Sequence, residues 1–344
     1  MNFYRFLPAA LLLAAAICLC SFTAAQENPQ PPKQTIQVNV ERVNVGVIVT
    51  DHSGHFVEGL RREDFRAFDN GIEQPLNGFT AIEEPGQVLL LIEAGPAVYL
   101  LEGGHEWAAD ALLRGLSAGD RVAVVKYADS PATLLDFTAD KGAVDAAFGQ
   151  LRFNLGFGSL NLASSVSKVL EWLASVQGKK TIVLLSTGVD TSPSNEAALL
   201  MQKLRVSDVR LLAVSLAGSL QNLQASGKKK SSANDSGKTA QQFEQAGELL
   251  KQMAASAGGR AYFPATAREF NSVYAEIALI IRHEYSLAFS PPIRDGRAHS
   301  IEVRVNASQT TTSNRQATSN RVDHRQGYIA PIPKNEPATI SPDN

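Results

Sequence analysis

Cysteine is nearly missing from this chain of 344 residues: there are two, Cys18 and Cys20. That excludes a disulfide scaffold and a multi-cysteine zinc site. A surplus of basic charge is missing too. Lys plus Arg is 32 against 34 for Asp plus Glu, a net charge of -2, so the chain is a poor candidate for unselective nucleic-acid binding and no nucleic-acid partner is expected. Beyond the first 25 positions no stretch reaches the 18 or so apolar residues of a membrane span, so no stable membrane insertion is expected. Catalytic signatures are equally sparse. There is no Gly-x-Ser-x-Gly elbow, and Gly156-Phe157-Gly158-Ser159 lacks the lysine of a phosphate loop. His105-Glu106 opens like a zinc-protease helix motif, but Ala109 stands where the second histidine belongs. His283, His299 and His324 are scattered, with no nucleophile pattern beside them. Asp136, Asp140 and Asp145 lie in a polar stretch and read as solvated carboxylates.

What is present is globular. Hydrophobic residues make up 44% and charged residues 19%, and the length suits about two domains. The N-terminus carries an export signal. Arg5 is the only charge in the first 25 residues, Leu7 to Cys20 is an apolar run, and Ser21 to Ala25 supplies small residues for cleavage after Ala25. The run is shorter than the roughly 20 residues of a spanning helix. Cleavage removes both cysteines and leaves a secreted or periplasmic product. Residues 26–35, rich in proline, read as a linker.

Residues 36–82 read as antiparallel β structure. Ile36, Val38 and Val40 alternate with polar residues, and Val43, Val45, Val47 and Val49 keep one face apolar. Asp51-His52-Ser53-Gly54-His55 reads as a turn, not a metal motif, and Asn70-Gly71 is a strong hairpin signal. Over residues 86–282 the pattern changes to strand, helix, strand, helix. Strands are predicted at 88–92, 121–127, 181–185, 209–214 and 260–263, of which 88–92, 181–185 and 209–214 are buried apolar runs. Helices are predicted near 98–116, 141–151, 162–176, 195–207, 241–257 and 267–282. This alternation implies a doubly wound, mainly parallel α/β sheet, with ligands at the carboxyl ends of its strands. Residues 219–240, which include Lys228-Lys229-Lys230, read as a flexible insertion. Residues 283–330 return to β pattern, with 310–318 polar and disordered, and 331–344 read as a disordered tail.

The ordered segments "QVLLLIEAGPAV", "GFGSLNLASSV", "KKTIVLLSTGVDTSPS" and "DVRLLAVSLAG" resemble a von Willebrand factor type A (VWA) domain. With the flanks Val43–Phe79, Glu284–Pro292 and His324–Pro331, the chain resembles the acidobacterial VWFA-related group of exported proteins, over residues 36 to 330. The resemblance implies a Rossmann-like α/β domain, an additional β-rich module formed by the flanking segments, and a protein-binding function. It also implies a metal-ion-dependent adhesion site built from Asp-x-Ser-x-Ser, a middle-loop Thr and a later Asp, which would hold a hard cation.

The sequence departs from that motif. Its first part falls on Glu93-Ala94-Gly95-Pro96-Ala97, so both hydroxyls are lost. The middle Thr falls on Leu160 if aligned through Asn161-Leu162, or on Ser159 if aligned through the preceding glycine. The last Asp falls on Thr187, with Asp190 three residues farther on. The expectation is a degenerate site with no metal and no cofactor. An unidentified protein partner would be bound at a rim that includes Glu93, Gly95, Ser159, Thr187 and Asp190. The chain is expected not to be an enzyme. The alternatives are a hydrolase with an unrecognised carboxylate site and a purely structural or assembly protein of the cell envelope.

Overall fold

A computed structural model describes residues 42–82, 85–95, 111–151, 158–220, 233–306 and 320–332. The predicted helix near 98–116 is described only from 111, where residues 111–115 are helical. The predicted export signal, His105-Glu106, Lys228-Lys229-Lys230, the polar stretch 310–318 and the tail beyond 332 lie outside the described residues.

The chain begins with antiparallel strands β1 (Val43–Thr50), β2 (Phe65–Asp69), β3 (Ile72–Gln74) and β4 (Gly78–Ile82). Asp51 makes the first turn, its Oδ1 accepting from Ser53 N at 2.8 Å and His55 N at 2.9 Å. The β2–β3 hairpin closes through Asn70 and Gly71 at φ 48° and 80°, the left-handed pair that an Asn-Gly turn demands.

A six-stranded sheet follows, with strands β5 (Gly86–Glu93), β6 (Arg121–Tyr127), β7 (Pro131–Thr138), β8 (Lys179–Ser186), β9 (Val209–Ser215) and β10 (Ala261–Tyr262). Its order is β10-β9-β8-β5-β6-β7, parallel throughout except for the antiparallel edge strand β7. The five strands predicted in this region become β5, β6, β8, β9 and β10, the last only partly buried. The sequence pattern does not predict β7, because none of its residues is fully buried and no apolar alternation marks it.

Five longer helices are described: α1 (Lys141–Phe148), α2 (Leu162–Leu173), α3 (Ser194–Val206), α4 (Ala233–Ser256) and α5 (Ala267–Arg282). They lie on both faces of the sheet. Val88, Leu90 and Ile92 of β5 face a core with α1 and α5, while Leu89 and Leu91 face one with α2, α3 and α4. That is why β5 reads as an unbroken apolar run. Helix α4 starts earlier than predicted, so Ala233–Ala240 are helical, not loop. Leu250 and Met253 anchor its C-terminal half, and once a helix is nucleated each further residue adds one backbone hydrogen bond.

The chain then returns to antiparallel structure with β11 (Glu284–Phe289), β12 (Ala298–Val305), β13 (Arg321–His324) and β14 (Gly327–Ile329). These pair with the N-terminal strands in two four-stranded sheets, β13-β1-β11-β4 and β14-β12-β2-β3. The sheets share one core containing Val45, Val47, Phe65, Tyr285, Leu287, Phe289, Ile301 and Val303. A β-sandwich is therefore built from both flanks, with the α/β unit inserted between β4 and β11.

Candidate functional site

The direction of strand addition reverses at β5: β6 and β7 follow on one side, β8, β9 and β10 on the other. Ligand crevices of open α/β sheets form at the carboxyl ends of strands beside such a switch point. Glu93 is the last residue of β5, Tyr127 the last of β6 and Ser186 the last of β8. The topology therefore brings these three side chains together from distant parts of the chain.

They form a closed cluster. Glu93 has no exposed surface. Its Oε2 accepts from Thr187 N at 2.7 Å, Thr187 Oγ1 at 2.8 Å, Ser186 Oγ at 3.0 Å and Tyr127 Oη at 3.3 Å. Its Oε1 accepts from Thr187 Oγ1 at 3.1 Å. Tyr127 Oη and Ser186 Oγ lie 2.7 Å apart, and Gly188 N donates to Ser186 Oγ at 2.8 Å. Burial raises the Glu93 pKa, opposed chiefly by the bonds from Thr187 and Ser186. Burial and the Glu93 charge push the Tyr127 hydroxyl well above its ordinary value, so it stays protonated and able to donate.

The loop geometry closes the cluster from outside. Gly95 is buried, and a Cβ placed on it would meet Leu160 Cδ2 at 2.8 Å and Glu93 Oε1 at 3.4 Å. Leu160 therefore covers the space beside Gly95. Between the two alignments of the middle loop, it is Leu160, not Ser159, that faces the first-strand loop. Ser159 is exposed and donates to Asp129 Oδ1 at 2.8 Å, and Asn161 Nδ2 donates to the same oxygen at 2.9 Å. Asp190 is turned toward α2, where its carboxylate accepts from Leu162 N at 3.0 Å and Ala163 N at 3.3 Å. Backbone bonds Ala94 N to Tyr127 O, Asn161 N to Ala128 O and Thr191 N to Leu160 O tie the loops to one another.

Of the five residues singled out from the sequence, Glu93, Gly95 and Thr187 are thus enclosed, Asp190 is partly covered and Ser159 is at the surface. Sequence reasoning missed Tyr127, Asp129 and Thr191. Tyr127 reads as an ordinary strand residue, and Asp129 sits in a short turn with no motif around it. A hard divalent cation takes oxygen ligands in near-octahedral order, and these residues do not fit one. The donors on Glu93 present hydrogens where a cation would compete, position 95 has no side-chain oxygen, and Leu160 presents methyl groups. Among the described residues, no three His, Cys, Asp or Glu side chains come together in a metal-binding arrangement. Asp136, Asp140 and Asp145 do not converge either; Asp140 caps α1 by accepting from Gly142 N and Ala143 N.

The parallel sheet order, its antiparallel edge strand and the helices on both faces give the doubly wound, mainly parallel α/β fold that the sequence pattern predicts. No family model matches the chain, and no curated protein matches it. Solved structures do. A von Willebrand factor type A protein from Catenulispora acidiphila aligns at 11% identity and TM-score 0.45, over 78% of this chain and 74% of that one. The PilB minor pilin of Streptococcus sanguinis aligns at 11% identity and TM-score 0.42, over 60% of this chain and 63% of the pilin. The BatB protein of Bacteroides thetaiotaomicron aligns at 10% identity and TM-score 0.39, over 57% of this chain and 98% of BatB. Among the described residues no helix is long and apolar enough to cross a membrane.

Proposed function

We propose that the chain is an exported, non-catalytic protein-interaction module whose VWA-type domain binds its partner without a metal ion. One observation carries this reading: the Glu93 carboxylate is consumed by Ser186, Thr187 and Tyr127 while Leu160 fills the space beside Gly95. In this reading the adhesion motif is degenerate and has become a structural plug. Partner contact then falls to the loops around it, where Asp129, Ser159 and Thr191 are exposed and mutually bonded or braced through Asn161. Loops tied to one another in this way lose little entropy on binding, which favours recognition by shape and hydrogen bonding. Export rests on the apolar run Leu7 to Cys20 and the small residues up to Ala25.

Calorimetric titration of Mg²⁺ and Mn²⁺ into chelator-stripped protein tests the ion-free reading. No heat is expected up to millimolar metal. Heat at submillimolar metal that disappears in Glu93→Ala would overturn it, since the carboxylate would then be serving as a ligand.

A further inference from the structure

At the opposite end of the sheet, where β8 and β9 begin, a pocket of about 580 Å³ opens between the α/β unit and the sandwich. Its walls include Leu170, Val206, Tyr328 and Ile329, with Arg42 and Arg325 at the polar side. This volume falls within the usual range for small-ligand sites, which favour junctions between structural units and combine apolar walls with a few polar groups.

The polar groups do not balance. Among the described residues Asp208 is the only acid lining the pocket, and it is paired with Lys180 at 2.8 Å. Arg325 donates from Nη2 to Asn44 O at 2.7 Å, but its Nε is buried with no hydrogen-bond partner. Burial also lowers the Arg325 pKa, opposed by the charge of Asp208. Arg42 has no acidic partner among the described residues. The C-terminal ends of α2 and α3 border the pocket through Ala174 and Ser207, and each contributes about half a negative charge. Two guanidinium groups outweigh them. The Arg325 guanidinium lines the pocket with Nη2 bonded to Asn44 O, and a carboxylate is the charge-assisted acceptor that suits it. The exposed Ile329, at 53%, places apolar surface beside that cation.

We infer that this pocket binds an apolar monocarboxylate, its carboxylate on Arg325 and Arg42 and its hydrocarbon against Leu170, Val206 and Ile329. A small organic acid and the C-terminal residue of a peptide share that chemistry.

Calorimetry on the full chain, in metal-free buffer, tests the site separately from the adhesion-motif reading. The probes are octanoate, octanol, and a short peptide ending in leucine with a free or an amidated terminus. Saturable binding of octanoate or of the free-acid peptide is expected, with octanol and the amidated peptide silent. Binding should weaken about tenfold or more in Arg325→Met, as loss of a charge-assisted bond requires. Arg42→Ala, at an exposed side chain, should weaken it as well and serves alone if Arg325→Met fails to fold by circular dichroism. A tighter free-acid peptide makes a chain terminus the source, and tighter octanoate makes it a small acid. No binding by either carboxylate, equal binding by their neutral counterparts, or undiminished binding in the folded variants would overturn the proposal.

Discussion

Glu93 is a carboxyl surrounded by donors with no cation among them. Three side chains and one backbone N–H point at it, yet burial still raises its pKa above the ordinary 4.5. The consequence for stability has a definite sign. Between 4.5 and the raised folded value, the folded chain holds more protons than the unfolded chain, so stability falls as pH rises through that interval. Glu93→Gln removes the charge and keeps a carbonyl acceptor for Thr187 N, while the hydroxyls can rotate to accept from the amide. Urea denaturation of Glu93→Gln at a series of pH values should show that slope flattened and stability at neutral pH equal to or above wild type. Glu93→Ala should instead lose about 1–3 kcal/mol, because the buried Thr187 N–H is left without an acceptor. A slope unchanged in Glu93→Gln would mean that another group sets the pH dependence.

At the scale of elements, the plug and helix α2 hold each other in place. The residue before the helix, Asn161, makes no side-chain cap. Asp190 supplies it from the loop after β8, accepting from Leu162 N and Ala163 N while also receiving Ser192 N at 3.0 Å. A carboxylate at a helix N-terminus satisfies open donors and meets the positive end of the dipole. Asp190→Ala should therefore cost about 1 kcal/mol, and Asp190→Asn should recover part of it. Thermal unfolding followed by circular dichroism checks both, and an Asp190→Ala melting temperature equal to wild type would remove Asp190 from the cap. This contact illustrates what the sequence makes legible. The strands β6 and β9 and the helix α5 can be read from local apolar pattern, as can the Asn70-Gly71 turn. Strand β7 cannot, because it lies at an edge and buries little. Glu93 and Thr187 stand out because they occupy motif positions. Leu160 stands at one of the two aligned positions of the middle Thr, but its cover over Gly95 is set by tertiary closure, as is the Tyr127 contact with Glu93 34 residues away, and no local signal marks that closure.

Across the whole molecule, the α/β unit enters and leaves through the sandwich, and two arginines fasten them together. Arg260 donates to Thr50 Oγ1 at 2.9 Å and pairs with Asp323 and Glu276. Arg210 of β9 pairs with Glu284 of β11 at 2.7 Å and also donates to Gly258 O and Gly46 O. Gly46 makes the second joint possible: a Cβ there would lie 1.5 Å from Glu284 Oε1. Glycine in the middle of a strand marks a close approach of this kind. The side chains of the Arg210–Glu284 pair are only 8% and 10% exposed, and Glu284 also faces Lys179 at 3.8 Å, so removing Glu284 leaves two largely buried cations without their acid at a cost of about 3–5 kcal/mol. Gly46→Ala should cost a similar amount, because the added methyl displaces the carboxylate from Arg210. The two changes must then be strongly non-additive, since Glu284→Ala removes the group that this methyl would strike. Urea denaturation of both single variants and the Gly46→Ala/Glu284→Ala double variant decides the matter. The double variant should be about as stable as Glu284→Ala alone. Simple additivity would mean that the space at Gly46 serves something other than this carboxylate, and that the sandwich and the α/β unit are joined without it.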